Sequence, residues 1–357
     1  MGNGAPRRAN PERLERFVSS AFRGVGVPPG DADLAAKILV DADLRGIDSH
    51  GVINLHGTYI RGLQTGAINP IPEIRVALGS PTTASVDGGN GLGAVVSHHA
   101  MTECLRMARE HGTGWATVCN SHHSGAGAYY VLMAANQDMI GLHSSSGGST
   151  VAAPGGRGRL IGNNVLAFAA PGRKHGPFVL DMAPTMAIAN KLHMLQWAGK
   201  PMPEGWAVDS EGRPITDPKR YFATEGAILP LGSTPQNGVH KGFGLLLVSD
   251  ILTGLLSGDG GSMFRRKGEH THVFCALRID AFPTGGDFKD LMDAMIEKLH
   301  ATPTVGATGR IRYPGERGNL THRERSATGI PLRQNVVEDL QRMSAALHLS
   351  LDDIWER

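Results

Sequence analysis

The chain has 357 residues, of which 41% are hydrophobic and 19% charged, and its formal net charge is +2. These values are typical of a folded globular protein, and the length exceeds that of one hydrophobic core, so we expect two domains. Because charges of both signs are interspersed without a long run of either, the sequence does not indicate a nucleic-acid partner or an acidic membrane surface.

The cysteines and the apolar segments bear on the cellular compartment. Cys104, Cys119 and Cys275 are odd in number and far apart, which fits buried free thiols in a reducing compartment better than disulfides. The N-terminal segment contains no apolar stretch typical of a secretion signal, and no run of about 18 apolar residues occurs. We therefore expect a cytoplasmic protein that does not cross a membrane.

The N-terminal part of the chain predicts a small helical unit. Asn10 followed by Pro11 is a helix start, since Asn caps the first turn and Pro fits the first helical position. A second helix is predicted from a cap at Asp31 to Gly46, because glycine suits the left-handed end of a helix. The segment "DLRGIDSHGV", residues 43–52, then forms a polar loop that leads into a further helical run.

From about residue 73 the pattern changes to short β-branched runs separated by glycine-rich turns. Seven such runs, with one helix that ends at Gly112, indicate an α/β domain built around a sheet. The apolar segment "KGFGLLLVSDILTGLLSG", residues 241–258, predicts a buried helix that is either central or at a subunit contact. A last amphipathic helix, within residues 331–347, is expected to pack on the N-terminal helices.

Several common functional motifs are absent from the sequence. Neither G-x-G-x-x-G nor G-x-x-x-x-G-K-[ST] occurs, so a Rossmann or P-loop phosphate site is not indicated. The 16 histidines include two adjacent pairs and an H-x-H motif at His270 and His272, but no H-E-x-x-H. Adjacent histidines in a strand point to opposite faces and rarely bind one metal ion. A histidine-rich metal hydrolase is therefore the weakest alternative, and no metal ligand is assigned.

Two histidines stand out by their context. His50 follows Asp48 and Ser49 in a polar turn, and His123 follows the predicted strand "WATVCN". Active-site residues often lie at strand ends in α/β domains. A neutral imidazole near pH 7 can accept a proton from an alcohol and return it to a carbonyl. On this pattern alone, each is either such a group or a turn or core residue, and one of His122 and His123 is expected to face the core.

Seven segments between about residues 41 and 317 resemble, in order, the type-2 malate/L-lactate dehydrogenase family of NAD(P)-dependent oxidoreductases. They are "DLRGIDSHGV", "VDGGNGLG", "NSHHSGAGAYY", "IGNNVLAFAAP", "FVLDMAPTMAIANKL", "GVHKGFGLLLVSDILTGLLSG" and "YPGERG". The family includes ureidoglycolate, sulfolactate and 2,3-diketogulonate-type enzymes and cyclic-imine carboxylate reductases. The resemblance implies an α/β (α+β), non-Rossmann fold and a homodimer. A helical domain from both chain ends (residues 1–72 and 318–357) would join a central α/β NAD(P)-binding domain (residues 73–317).

The resemblance also implies the roles of individual residues. The family's proton donor or acceptor falls on His50, and its second active-site histidine falls on His123. The other implied catalytic and substrate-binding residues are Ser49, Asp48, Asn54, Asn120 and Ser121. The cofactor, NAD or NADP, would be bound by three segments. These segments contain Asp181, Met182, Ala183, Pro184 and Thr185, then His240, Lys241 and Gly242, and finally Gly315, Glu316 and Arg317.

One position departs from the family pattern. Many members carry an Arg four residues after the catalytic histidine, where it can pair with a substrate carboxylate, but this chain has Asn54. Either another cation holds the carboxylate, with Arg45 and Arg61 the nearest in sequence, or the substrate is not a simple 2-oxo acid. We expect hydride transfer between nicotinamide and a 2-oxo or 2-hydroxy acid. The alternatives are a cyclic-imine reductase acting on piperideine- or pyrroline-2-carboxylate, and a non-catalytic family member.

Overall fold

The structure is a computed structural model that describes residues 7–265, 268–283, 287–306 and 309–355. The strands in chain order are β1 (Arg8–Ala9), β2 (Arg75–Ser80), β3 (Thr83–Gly91), β4 (Thr113–Ser121), β5 (Met139–Ser146), β6 (Val165–Ala170), β7 (Phe178–Met182), β8 (Ala207–Val208), β9 (Pro214–Ile215), β10 (Ala227–Ile228), β11 (His270–Arg278) and β12 (Ile330–Pro331). The helices are α1 (Pro11–Arg23), α2 (Pro29–Leu44), α3 (Arg61–Gln64), α4 (Gly93–His111), α5 (Gly127–Ala135), α6 (Ala189–Trp197), α7 (Pro218–Ala223), α8 (Val239–Asp250), α9 (Phe288–His300), α10 (Glu316–Thr328) and α11 (Gln334–Ala346).

A seven-stranded mixed sheet in the order β2-β3-β4-β11-β5-β6-β7 forms the centre of the molecule. Its strands are the seven β-branched runs predicted from the sequence, so the mixed α/β class is confirmed. Strands β3 and β4 are parallel, and each other neighbouring pair in this sheet is antiparallel. Helix α4 packs on β4 and β11, and α5 packs on β5 and β6. The sheet thereby brings the ends of β4, β7 and β11 under the N-terminal loops.

The two chain ends pack together beside this sheet. Strand β1 pairs with β12, α1 packs on α2, and α10 packs on α2. One hydrophobic cluster runs from the N-terminal helices through α4 and the sheet to α11. Its fully buried members include Leu14, Leu39, Met101, Phe274 and Leu340. The expected packing of the last helix is therefore confirmed, while the division into domains at residues 72 and 318 stays a prediction.

Local signals account for most of the helix ends. Helix α1 begins after Asn10, whose side chain accepts a backbone N–H at 3.1 Å, as predicted. Helix α2 begins at Pro29, so the predicted cap at Asp31 is wrong. Proline occupies the first turn, and the Asp31 carboxylate lies within that turn, where it favours the helix dipole. Gly46 has φ +73° just beyond the end of α2, as expected of a terminating glycine.

The apolar segment at residues 241–258 is buried on one side only. Helix α8 packs on β5 and β6 and continues into a π-helical turn, Ile251–Leu255. Leu246 is fully buried, but the opposite side is exposed in the single chain. The exposed residues, which we call the apolar α8 surface, are Leu245, Val248, Ile251, Leu255 and Leu256. The central, enclosed position offered for this helix is therefore wrong, and the alternative of a subunit contact stays a prediction. None of the helices in the described ranges has the length and apolar character needed to cross a membrane.

Candidate active site

The polar loop after α2 is held from below by the buried carboxyl of Asp43. Its Oδ2 accepts the backbone N–H of Val52 at 2.8 Å, so one side chain links the two ends of the loop. Gly51 lies directly against this carboxyl, because a Cβ at Gly51 would be 2.1 Å from its carbon. Burial raises the pKa of Asp43 to about 8. A glycine at this position therefore lets the loop close over Asp43.

Arg325 of α10 ties the same loop to the C-terminal part of the chain. Its Nη1 donates to Asp48 Oδ1 at 2.5 Å and to the carbonyl oxygen of Asp43 at 2.5 Å. The Arg325 side chain is only 13% exposed, so water screens the ion pair weakly. The structure thus places Asp48, a predicted catalytic residue, in an anchoring contact. Arg325 could not be predicted from the sequence, since no local pattern marks a residue 277 positions from Asp48 as its partner.

His50 lies at the top of this loop with one ring nitrogen engaged. Its Nδ1 is 2.8 Å from Ser49 Oγ, which leaves Nε2 as the free nitrogen. The ring stacks on His123 with the centroids 5.6 Å apart and the planes 21° from parallel. Exclusion of water from the ring lowers the pKa of His50 to about 4. The imidazole is therefore neutral at pH 7 and can accept a proton.

His123 is fixed in one tautomer. Its Nδ1 receives the backbone N–H of Gly125 at 3.3 Å and lies 2.7 Å from the hydroxyl of Tyr59. Because a backbone N–H can only donate, Nδ1 is an acceptor, the Tyr59 hydroxyl donates to it, and Nε2 carries the proton. Burial and the neighbouring His50 hold the pKa of His123 well below its usual range. Tyr59 is fully buried, and no sequence motif had indicated it.

Three further histidines extend this pair into a row of rings. His270 lies 5.7 Å from His123 and 6.3 Å from His272, and His272 lies 5.9 Å from His143. Burial lowers the pKa values of His270 and His143 to about 4. No role for this row of rings was predicted from the sequence. The two histidines of an H-x-H motif lie on the same face of a strand. This motif could therefore have predicted that His270 and His272 belong to one site.

Asn54, which replaces the usual family arginine, is used within the loop itself. Its Nδ2 donates to the carbonyl of Ser49 at 3.0 Å, and its Oδ1 accepts from Asn190 at 3.0 Å. Asn190, at the start of α6, also donates to the Ser49 carbonyl at 2.6 Å. Of the nearby cations, Arg45 pairs with an acidic neighbour in α2 at 2.9 Å, and Arg61 is exposed on α3. Neither the asparagine nor Arg45 is therefore free to bind an anion.

The other residues predicted around His123 form hydrogen bonds with other parts of the protein. Asn120 has φ +51°, is exposed, and donates to Asp87 at 2.9 Å. Ser121 is buried, with its Oγ 3.3 Å from Nε2 of His272. His122 is also buried, and its Nδ1 donates to a backbone carbonyl at 2.9 Å. The expectation that one of the two adjacent histidines faces the core is confirmed.

The three predicted cofactor segments meet at β7 and the residues after it. The carbonyl of Pro184 accepts the N–H of Leu231 at 3.0 Å, and a Cβ on Gly242 would lie 2.3 Å from the Leu231 oxygen. A Cβ on Gly315 would lie 2.7 Å from the backbone nitrogen of Val179. Both glycines therefore permit close backbone contacts that connect the segments. Within them, the buried members are Pro184, Thr185, Gly242 and Glu316, and the partly buried members are Asp181, Met182, Ala183 and Gly315.

Two helices begin at this junction, each after a glycine in the left-handed conformation. Helices α8 and α10 start after Gly238 (φ +80°) and Gly315 (φ +93°), and neither has a side-chain cap. Lys241 and His240 are exposed in the first turn of α8, and Arg317 is exposed in the first turn of α10. Uncapped N-termini with adjacent cations attract anionic groups such as phosphates. This donor set fits the pyrophosphate of a dinucleotide.

Two acidic residues in these segments have partners within the protein. Asp181 accepts the N–H of Ala128 at 2.8 Å, so it caps α5 from a neighbouring strand. Burial raises the pKa of this carboxyl to about 6. Burial alone would also raise the pKa of Glu316, but His300 at 3.2 Å and the ion pair with Arg310 hold it below its usual range. Both carboxyl groups therefore stabilise the proposed cofactor segments through contacts within the protein.

A cavity of about 450 Å³ adjoins the row of histidines. It is lined by His270, by Ala189 next to Asn190, and by the loop of residues 147–150. Arg159 and Arg265 are also in its lining. A Cβ on Gly147 would lie 2.5 Å from His270 Nε2, so the ring rests against the glycine backbone. Across the described residues, no three His, Cys, Asp or Glu side chains are grouped to hold a metal ion.

The sequence profile of the malate/L-lactate dehydrogenase family matches residues 9–341. The chain belongs to this family. It is 39% identical over 343 residues to a malate dehydrogenase of Pyrococcus horikoshii, and the match covers 94% of each chain. The solved structure of malate dehydrogenase from Pyrococcus horikoshii OT3 covers 98% of this chain, and 99% of that chain is matched, with a TM-score of 0.88 and 36% identity.

A reductase structure is also similar to the chain. The Δ1-piperideine-2-carboxylate reductase of Pseudomonas syringae pv. tomato has 25% identity and a TM-score of 0.83, and the match covers 94% of this chain and 99% of that one. The family resemblance seen in the sequence is therefore confirmed. As a member of the malate/L-lactate dehydrogenase family, the chain is a dehydrogenase or reductase and not a non-catalytic protein.

Proposed function

We propose that the chain transfers a hydride between a nicotinamide cofactor, NAD or NADP, and a 2-oxo or 2-hydroxy acid, with His50 as the proton donor or acceptor. One observation carries this proposal. In a member of a dehydrogenase family, His50 and His123 stack at 5.6 Å with both rings held neutral by burial. A neutral base and a fixed N–H donor are what alcohol oxidation requires of the protein.

The cofactor would be held where its three predicted segments meet. The uncapped starts of α8 and α10, with Lys241 and Arg317 in their first turns, suit the pyrophosphate. The site would be non-Rossmann, since the central sheet has a single parallel pair, β3 and β4, and the G-x-G-x-x-G turn is absent. When bound, the nicotinamide supplies or takes up the hydride.

The residues of the loop then accept and return the proton. His50 takes the hydroxyl proton of a 2-hydroxy acid on Nε2, while Ser49 holds Nδ1 at 2.8 Å. His123 donates its Nε2–H to the substrate oxygen, and Tyr59 keeps it in that tautomer. The anchors Asp43 and Arg325 keep the loop in place while the proton moves. In the reverse direction, His50 returns the proton to the carbonyl oxygen.

Replacement of His50 tests this proposal. We expect His50→Asn to lower kcat about 10²- to 10⁴-fold, the usual contribution of a general acid–base group. Binding of NADH or NADPH, followed by nicotinamide fluorescence, should be unchanged. His56→Asn is the matched control, since His56 lies on the next turn and pairs with Asp339 instead. Undiminished turnover in His50→Asn would contradict the proposal.

A second candidate function is the reduction of a cyclic imine carboxylate. Two observations favour it: position 54 lacks the usual cation, and a piperideine-2-carboxylate reductase has the same fold with a TM-score of 0.83. A panel of pyruvate, oxaloacetate, piperideine-2-carboxylate and pyrroline-2-carboxylate with both cofactors separates the two. Consumption of NAD(P)H with the imines alone would favour the reductase. Turnover of the 2-oxo acids favours the first proposal, which the 39%-identical malate dehydrogenase also supports.

We further propose that the protein is a cytoplasmic homodimer without a nucleic-acid or membrane partner. The apolar α8 surface supports self-association, because an exposed apolar stripe on one helix gains free energy when a second copy covers it. The proposed helical domain (residues 1–72 and 318–357) and central domain (residues 73–317) would then each be present twice, with the site close to their boundary.

A further inference from the structure

The carbonyl oxygen of Ser49 accepts hydrogen bonds from two side-chain amides that come from different parts of the chain. Asn54 donates to it from Nδ2 at 3.0 Å, and Asn190 donates to it from Nδ2 at 2.6 Å. The same Asn190 nitrogen lies 3.0 Å from Asn54 Oδ1. Since this nitrogen faces two oxygens, only an N–H group can bond to both, and the orientation of each amide is determined. The three groups therefore form a closed ring of hydrogen bonds.

This carbonyl belongs to the peptide unit that carries His50. On the nitrogen side of the same unit, the N–H of His50 donates to the carbonyl of Ile47 at 2.8 Å. A peptide unit is planar, so hydrogen bonds at both its oxygen and its nitrogen fix the orientation of the plane. The hydroxyl of Ser49, which is 2.8 Å from His50 Nδ1, extends from this unit. The position of the imidazole therefore depends on the two amides.

Asn190 is itself held by a separate part of the core. It is the second residue of α6, and Leu192 of that helix is fully buried in a hydrophobic cluster that also contains Ala187. Neither Leu192 nor Ala187 is a member of the main cluster around the N-terminal helices. The segment before α6 is fixed by the N–H of Met186, which donates to the carbonyl of Leu229 at 2.9 Å. Asn190 thus contacts the His50 loop from an anchored helix.

Helix α6 also follows the first of the three proposed cofactor segments, residues 181–185. Thr185 ends that segment and forms a β-bridge with Pro230. Its hydroxyl donates to the carbonyl of Ala187 at 2.6 Å, which fixes the turn that leads into α6. The contact of Asn190 with Ser49 is therefore a physical link between this segment and the His50 loop.

We propose that Asn190 is a positioning residue: together with Asn54 it holds the peptide between Ser49 and His50, and it thereby couples the His50 loop to the helix that follows the proposed cofactor segment. The inference rests on the function proposed above, in which His50 moves the proton. It also gives a use to the asparagine at position 54, whose amide completes the contact with Asn190. Asn190 acts through Ser49 and not on the reacting carbon.

The titration of the His50 ring tests this assignment without a substrate. It can be followed by NMR of the protein with isotope-labelled histidines, in which His50→Asn identifies the signal. Exclusion of water from the ring holds the pKa of His50 at about 4. In Asn190→Ala we expect this pKa to rise towards the ordinary value of about 6.5, because a loosened loop admits water to the ring. The facing ring of His123 is the same in both proteins.

Steady-state turnover of malate and lactate is the second measurement. Asn190→Ala should lower kcat about 10- to 100-fold with KM near wild type, because a displacement of about 1 Å at a catalytic group can cost about 100-fold. Asn190→Gln should recover part of kcat, since the amide donor remains. Asn54→Ala should act in the same direction as Asn190→Ala. The double variant should lose less than the product of the two single losses, because both amides share one carbonyl.

Asn335→Ala is the matched control. Asn335 is likewise the second residue of a helix, α11, and is partly buried, but its side chain forms no hydrogen bond within the described ranges. It should leave kcat and the His50 titration unchanged.

A His50 titration in Asn190→Ala that matches wild type would overturn the inference, whatever the turnover, and this holds even if wild type turns over neither acid. A double variant that loses the full product would refute the joint role of Asn54. A moved titration with unchanged kcat would support the hold of Asn190 on His50 and would refute the proposed function of His50 instead.

Discussion

At the scale of single residues, the site depends on histidines that burial keeps neutral. His50 and His123 stack face to face, so a proton on one raises the cost of a proton on the other. The pair therefore carries at most one added proton under ordinary conditions. Because Tyr59 fixes the tautomer of His123, that proton belongs on His50. The two rings thus have different hydrogen-bond partners, although their sequence contexts look alike.

The low pKa of His50 predicts opposite pH dependences for the two reaction directions. Oxidation of a 2-hydroxy acid needs neutral His50, so kcat/KM should be level from pH 6 to 8 and fall below its pKa of about 4. Reduction of the 2-oxo acid needs protonated His50, so kcat/KM should decline as the pH rises above that value. Steady-state pH profiles in both directions check this. An oxidation profile with its inflection near the ordinary histidine value of about 6.5 would contradict it.

At the scale of secondary-structure elements, the sequence predicted what local patterns determine. The seven strands, the Asn10 cap and the glycine ends of α2 and α4 follow from residues that are neighbours in the chain. The roles of Asp48 and Asn54 did not follow, because their partners Arg325 and Asn190 come from distant elements. Short-range periodicity carries no information about such contacts. The family resemblance located the loop, but the contacts that anchor it are visible only in the structure.

The contact between α10 and the His50 loop predicts a variant with impaired chemistry. Arg325→Gln should destabilise the fold by about 1.5–3 kcal/mol, the range for hydrogen bonds to a charged group. It should also lower kcat more than it raises KM, because the loop loses its anchor while the substrate contacts stay. Urea unfolding and steady-state kinetics measure the two effects.

Two further variants serve as comparisons for Arg325→Gln. Arg325→Lys should recover part of kcat, since the charge remains and one of the two contacts can re-form. Arg323→Gln, an exposed change on the same helix, should behave like wild type. If Arg325→Gln lost stability but kept full kcat at a temperature where it is folded, a positioning role for Arg325 would be wrong.

At the scale of the whole molecule, the largest unexplained feature is the apolar α8 surface. Its side chains lie along one helix and the π-helical turn after it, and they are 41–62% exposed. Helix α8 also starts at the junction of the three proposed cofactor segments. Coverage of this surface by a second copy would fix the same helix whose first turn carries Lys241. Assembly and cofactor binding would therefore depend on each other.

A charge placed in the apolar α8 surface should separate the subunits. We expect Val248→Asp to shift the protein from dimer to monomer in analytical ultracentrifugation, because an unpaired carboxylate is costly to bury in an interface. Leu291→Asp on α9 is the control, since Leu291 is 66% exposed on another helix. A wild-type protein that sediments as a monomer, or a Val248→Asp variant that stays dimeric, would refute the expected interface.

The ion pair of Arg325 with Asp48 has a consequence for the synthesis of the protein. During synthesis the His50 loop leaves the ribosome early, and its anchor follows 277 residues later. A nascent chain therefore cannot complete the loop until α10 has been translated and has emerged. Chains that stop before α10 would carry both histidines yet lack the part that holds His50 in place. A competent His50 loop is therefore expected only after α10 has been made.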